Sequence, residues 1–159
     1  MTSGFRPLLP ADPQAIRALV RATGFFTPAE EEVAVELVEE SLAKGAEKSG
    51  YHFHLYAGAE KLLGYACYGP VPMTLSGFDL YWIVVAPETQ GKGLGARLLT
   101  ACEQSVRGLG GKRLYSETSS RPLYTPTHKF YERHGFIAEA RLIDFYAPGD
   151  DKIIYTKIL

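Results

Sequence analysis

The apolar positions follow two different periods along the chain. Through the first fifty residues they recur at helical spacing, and from Tyr51 onward the period shortens to two. FRPLLP reads as the start of a short strand, with Pro7 marking an edge position. Asp12-Pro13 predicts an N-cap followed by a helix-opening proline. Ile16, Leu19 and Val20 continue that helix, and Gly24 ends it. Thr27-Pro28-Ala29-Glu30 is a capping-box sequence, and Val33, Leu37, Val38 and Leu42 mark an apolar face running to Gly45. AKGAEKSG is the one linker-like stretch. YHFHLYAGAEKLLGYACYG then predicts two strands around a turn at Ala59–Lys61, and SGFDLYWIVVAP a longer third. GLGARLLTACEQSVRGLGG predicts a helix with Leu94, Leu98, Leu99 and Cys102 on one face. KRLYSETS is a strand, residues 125–134 a short helix, and FIAEARLIDFYAPGDDKIIYTKIL a hairpin turning at Pro148–Asp151. The order βααβββαβαββ predicts an α/β (α+β) fold with a mixed, largely antiparallel sheet of six to seven strands and about four helices.

The bulk numbers narrow the function classes. A chain of 159 residues predicts one domain over 1–159, with a substantial core. Net charge is −1 and there is no basic run, so a nucleic-acid partner is not expected. No apolar run approaches membrane length and the N-terminus carries no signal pattern, so a cytoplasmic protein without a membrane partner is expected. Cys67 and Cys102 lie in apolar strand and helix patterns and read as buried thiols. His52 and His54 share one strand face, but no third ligand is placed near them, so no metal is expected.

The candidate chemistry begins at PETQGKGLGARLL, which follows the strand LYWIVVA and opens a helix. Glycines let backbone N–H groups close on phosphate oxygens, and a helix N-terminus adds partial positive charge. A P-loop fails because Lys92 precedes Gly93 rather than Ser or Thr. Gly91, Gly93 and Ala96 fit a loose dinucleotide fingerprint, with Glu117 near the end of the next strand, but no repeated βαβ units follow. Gln90, Gly93 and Gly95 satisfy the pyrophosphate pattern Gln/Arg-x-x-Gly-x-Gly/Ala. Further along stands Lys129-Phe130-Tyr131-Glu132-Arg133-His134-Gly135-Phe136.

Strand, glycine loop, helix, strand and a short helix ending in F-Y-E-x-x-G-F together resemble the GNAT superfamily of acetyl-CoA-dependent N-acetyltransferases. The resemblance implies that Gln90, Gly91, Lys92, Gly93, Leu94 and Gly95 hold the cofactor pyrophosphate and that the pantetheine arm runs beside Val84 and Val85. Many members carry an Asn seven residues before the motif tyrosine. Here Tyr124 stands there, with Ser119 and Ser120 upstream, so the polar contact to the arm falls to a hydroxyl or is missing.

Acetyl transfer to an amine needs a neutral nucleophile, N–H donors for the oxyanion and a proton for the leaving thiolate. By resemblance Tyr131 points its hydroxyl at the cofactor sulfur and protonates it. Phe130 and Phe136 read as core. Two strand carboxylates are candidate bases. Asp79 lies eleven residues before Gln90, the offset of a glutamate base in the histone-type branch of the family, and Glu117 is the other; a water chain is the third possibility. The expected activity is transfer from acetyl-CoA to a primary amine of a small molecule, by a monomer or homodimer. Protein N-terminal or lysine acetylation, and non-catalytic acyl-CoA binding, are the alternatives.

Overall fold

The computed structural model describes residues 3–159. Seven strands form one sheet in the order β1-β2-β3-β4-β5-β7-β6. They are β1 (Gly4–Arg6), β2 (His52–Ala57), β3 (Leu62–Pro70), β4 (Gly77–Val85), β5 (Arg113–Ser119), β6 (Ile137–Ala147) and β7 (Asp150–Ile158). The β4–β5 pair is parallel, while β1–β2, β2–β3, β5–β7 and β6–β7 are antiparallel. The mixed, mostly antiparallel sheet matches the expected fold class. The backbone divides into two compact units, one running to Gly69 and including Tyr81–Ser105, the other Pro70–Leu80 with Val106–Leu159. Strand β4 runs through both.

The first unit packs α1 (Asp12–Ala22) and α2 (Pro28–Lys44) around Ile16, Val20, Val38, Leu55, Tyr65 and Cys67, and it also holds α4 (Leu94–Gly108) as far as Ser105. Two expectations change. Asp12 is not the N-cap: Ala11 is, and Asp12 is the first helical residue. Its buried carboxylate turns back to accept from Leu9 N at 2.6 Å and from the Arg6 guanidinium at 2.7 and 2.8 Å. The buried face of α2 is Glu31, Ala34, Val35, Val38 and Ser41, whereas Val33 is 47% exposed and Leu42 37%. The predicted face keeps Val38, with Leu37 packed against the core, and loses Val33 and Leu42. The Arg21–Glu31 pair lets the selected face include a charge, and Ser41 Oγ donates to Tyr51 O at 2.9 Å. The capping box at Thr27 and Glu30 forms as expected.

The linker-like stretch contains a one-turn helix, α3 (Ala46–Ser49), between Gly45 and Gly50, both at positive φ. It brings the α-helices among the described residues to five, where about four were expected. On α4 the predicted face is the buried one, extended by Val106. It seats against β3 at Gly64, where a Cβ would stand 3.0 Å from Leu98 and 3.1 Å from Leu94.

In the second unit, β5 lies between the first residues of β4 and all of β7. The terminal hairpin is tighter than its sequence predicts. Ala147 pairs with Asp150, so Pro148-Gly149 alone makes the turn, with Gly149 at φ 79°, and Asp150 and Asp151 already belong to β7. Strand β6 is the sheet edge. It shifts register between Ala138 and Ala140 and again between Leu142 and Ala147, and it is exposed along its whole length. Bulges of this kind blunt an edge against continued pairing. Helix α5 (Thr125–Arg133) falls where the sequence puts it.

Candidate active site

In the first unit, β4 delivers the chain to a short 3-10 turn, Pro87–Thr89, and then to the glycine loop. Gln90 is extended, Gly91 has φ 72° and Gly93 φ 82°, so both glycines occupy the left-handed region that side chains disfavour. A Cβ at either would meet nothing within 4 Å. The space beside both glycines is therefore open. The hydrogen-bond ladder of α4 starts with Arg97 N donating to Gly93 O at 3.1 Å. The N–H groups of Leu94, Gly95 and Ala96 therefore precede the first intrahelical bond, as an anion site requires. Lys92 is exposed beside them. Upstream, Val84 is buried in the core and Val85 is half-buried.

In the second unit, strand register gathers the carboxylates. Asp79 pairs with Tyr115 across the parallel β4–β5 ladder, and Glu117, two residues further along β5, lies on the same face. Lys152 of β7, opposite Ser119, reaches diagonally to Glu117, with Nζ 2.6 Å from Oε2. The same ammonium stands 4.0 Å from the centroid of the Phe145 ring. Asp79 is half-buried, and its carboxyl is pushed up to about 6, first by desolvation and then by the Glu117 charge, with Lys152 opposing both. A carboxylate in that range can accept a proton near neutrality. Glu117 is half exposed and ion-paired.

Tyr131 is 4% exposed on α5, packed against Phe136, Tyr155 and Phe130. Ser116 Oγ donates to its phenolic oxygen at 2.7 Å. Alternation along β5 puts Ser116 and Glu117 on opposite faces, so the phenol and the carboxylates flank the strand from two sides. Phe136 is core, as expected; Phe130 is half-buried. The Ser119 hydroxyl is engaged with Asp150 and accepts from Arg121 N at 3.1 Å. Tyr124 is half-buried with the Arg121 guanidinium over its ring at 5.5 Å. Ser116, Phe145 and Lys152 escape a reading of the sequence. Nothing in the local pattern singles them out, because their partners are set by the register of three strands.

His52 and His54 sandwich the Tyr68 ring, at 5.3 and 5.4 Å. Burial lowers the pKa of both. His54 Nε2 is bonded to Ser105 Oγ at 2.9 Å. Among the described residues, no three His, Cys, Asp or Glu side chains are arranged to hold a metal, and no helix is long and apolar enough to cross a membrane. Cys67 and Cys102 are buried free thiols, both pushed up by burial.

The comparisons define the class. The model of the acetyltransferase (GNAT) family matches residues 15–136, a span that includes the glycine loop, Asp79, Glu117 and Tyr131. A crystal structure of a GNAT-family protein from Desulfovibrio desulfuricans is 51% identical over 99% of both chains, with a TM-score of 0.95. An aminoglycoside 6'-N-acetyltransferase complexed with coenzyme A shares the fold at 20% identity, covering 99% of this chain and 97% of that one, TM-score 0.79. So does the PaiA N-acetyltransferase from Thermoplasma acidophilum in complex with coenzyme A, at 17% identity over the full length of both chains, TM-score 0.76. Among curated proteins none matches the chain. The chain belongs to the GNAT family of acetyltransferases and is an acyltransferase.

Proposed function

We propose that this enzyme transfers acetyl from acetyl-CoA to a primary amine of a small molecule, by direct attack through a tetrahedral intermediate. The observation that carries the reading is the raised, half-buried carboxyl of Asp79 in a chain that also has an open glycine loop. The N–H groups of the loop and of the first turn of α4 hold the pyrophosphate. Val84 and Val85 line the pantetheine arm, with Tyr124 supplying a hydroxyl; Ser119 is the weaker candidate because Asp150 engages it. Asp79 lies on the opposite face of β5 from the phenol and takes the proton of the incoming ammonium through intervening water. The neutral nitrogen then forms a C–N bond to the thioester carbon, the C–S bond breaks, and Tyr131 protonates the departing sulfur. Unperturbed phenols near pKa 10 stay protonated at neutral pH, as an acid in this role must. Ser116, donating to the phenolic oxygen at 2.7 Å, positions the Tyr131 hydroxyl. Glu117 is a positioning carboxylate, since its charge is already engaged by Lys152. Aminoglycoside 6'-N-acetyltransferases and a ribosomal-protein-S18-alanine N-acetyltransferase both stand among the fold relatives, so the small-molecule acceptor is a proposal that the amine panel below tests.

The test is a panel of primary amines with acetyl-CoA, read by release of free CoA thiol, on wild type and Tyr131→Phe. Tyr131→Phe keeps the ring packing and removes the proton. Turnover should fall about 10²- to 10⁴-fold with CoA affinity nearly unchanged. Undiminished turnover would reduce Tyr131 to a packing residue. Thiol release with no amine on the panel would reject small-molecule acetylation.

A further inference from the structure

The end of β5 is rich in hydroxyl side chains, and all but one of them are engaged. Ser116 Oγ donates to the Tyr131 phenol at 2.7 Å. Ser119 Oγ bonds Asp150 and accepts from Arg121 N at 3.1 Å. Ser120 Oγ accepts from Asp151 N at 2.8 Å. Thr118 is the exception. It is 5% exposed, and its Oγ1 is buried with no hydrogen-bond partner. An unpaired buried hydroxyl is costly, and a valine of nearly the same shape would fill the place without that cost. Folding therefore does not account for the hydroxyl. Tyr65 Oη shares the property, but it lies in the apolar core cluster of the first unit, not on the strand that holds Tyr131.

Strand register puts Thr118 beside the proposed acid. Ser116 to Ser119 pair in unbroken register with Tyr155 to Lys152 of β7. Alternation then places Thr118 on the same face as Ser116, the face of the phenol, about 7 Å further along the strand. The pantetheine arm of acetyl-CoA carries two amide groups, both within about 10 Å of the sulfur when the arm is extended. With the sulfur at the Tyr131 hydroxyl, an amide of the arm falls within the reach of Thr118. A threonine hydroxyl both donates and accepts, so it can serve an amide N–H or an amide C=O. We infer that Thr118 Oγ1 hydrogen-bonds an amide of the pantetheine arm. The inference rests on the acetyl-CoA reading above and adds a polar contact to the one proposed for Tyr124.

The experiment is calorimetric titration of the full chain with coenzyme A and with 3'-phospho-ADP, the half of coenzyme A that lacks the arm. Thr118→Val should weaken coenzyme A about three- to tenfold, the scale of one hydrogen bond, and leave 3'-phospho-ADP unchanged. Thr118→Ser keeps the hydroxyl and should recover most of that affinity. In thermal melts without ligand, Thr118→Val should be at least as stable as wild type, because it removes an unpaired buried group. Thr118→Ala should repeat the loss for coenzyme A and covers the case in which valine disturbs the strand. Unchanged coenzyme A affinity in Thr118→Val and Thr118→Ala, an equal loss for both ligands, or a loss in Thr118→Ser as large as in Thr118→Val would overturn the inference and leave the acetyl-CoA reading standing. A wild type that binds no coenzyme A would remove that reading and the inference together.

Discussion

Asp79 is the residue on which the proposed chemistry turns. Its pKa is raised to about 6 because burial disfavours its charge and Glu117 repels it, while Lys152 only partly compensates. For catalysis the consequence is an acidic limb: kcat/KM should rise with pH through about 6 as Asp79 becomes a competent base. Asp79→Asn should remove that limb and lower the rate about 10²-fold at pH 7, with partial recovery at higher pH as more amine is neutral. For stability the sign is opposite to that of an ordinary surface aspartate. The folded-state pKa lies above the unfolded value near 3.9, so the native state holds the proton more tightly. The stability contributed by protonated Asp79 is complete below about pH 4 and is lost as pH rises through about 6. Asp79→Asn should therefore melt higher than wild type at pH 7, with the gap closing toward pH 4. A pH–rate profile and a set of thermal melts check both. A wild-type limb that survives in Asp79→Asn would move the proton to a water chain.

At the scale of elements, helix α2 shows how packing selects within an apolar face. Val33 and Val38 both belong to the one apolar face that the sequence predicts. Val38 is fully buried and Val33 is 47% exposed. Val38→Ala should cost about 2–3 kcal/mol through lost contacts and a residual cavity. Val33→Ala should change stability by no more than about 0.5 kcal/mol. Urea titration of the two variants measures the difference directly, and equal costs would mean that the helix is rotated from the position described. Strand β5 shows the same selection on the chemical side. Its alternation assigns Ser116 to the phenol of Tyr131 and Glu117 to the carboxylate face, so one strand contacts both groups that the proposed reaction uses.

For the whole molecule, cosubstrate binding is the property that links the glycine loop to global stability. A ligand that binds only the native state adds about 2.7 kcal/mol at a hundredfold excess over its Kd. For a chain of this length that is a rise in Tm of about 5–10 °C. Acetyl-CoA should give a shift of this size, and CoA fragments lacking the pyrophosphate should give less. Gly93→Val forces a branched side chain onto a backbone at φ 82° and fills the open side of the loop. It should lower the starting Tm and abolish the acetyl-CoA shift. Differential scanning calorimetry reads both, and a full shift in Gly93→Val would move the phosphate site elsewhere.

The sequence by itself determined what is local. Alternation and helical spacing fixed the order of strands and major helices. Gln90, Gly93 and Gly95 marked the loop by their spacing, Gly91 and Gly93 take up the positive φ that only glycine adopts cheaply, and the run from Phe130 to Phe136 carried the family resemblance. The tertiary structure decided whatever depends on which strands are neighbours. It chose the buried face of α2, turned Asp12 from a cap into a buried partner of Arg6, and separated Asp79 from Glu117 by ion-pairing only the latter. Lys152 and Phe145 were invisible beforehand because neither lies near Glu117 in the chain. Register across β5, β7 and β6 alone brings an ammonium, a carboxylate and a ring together.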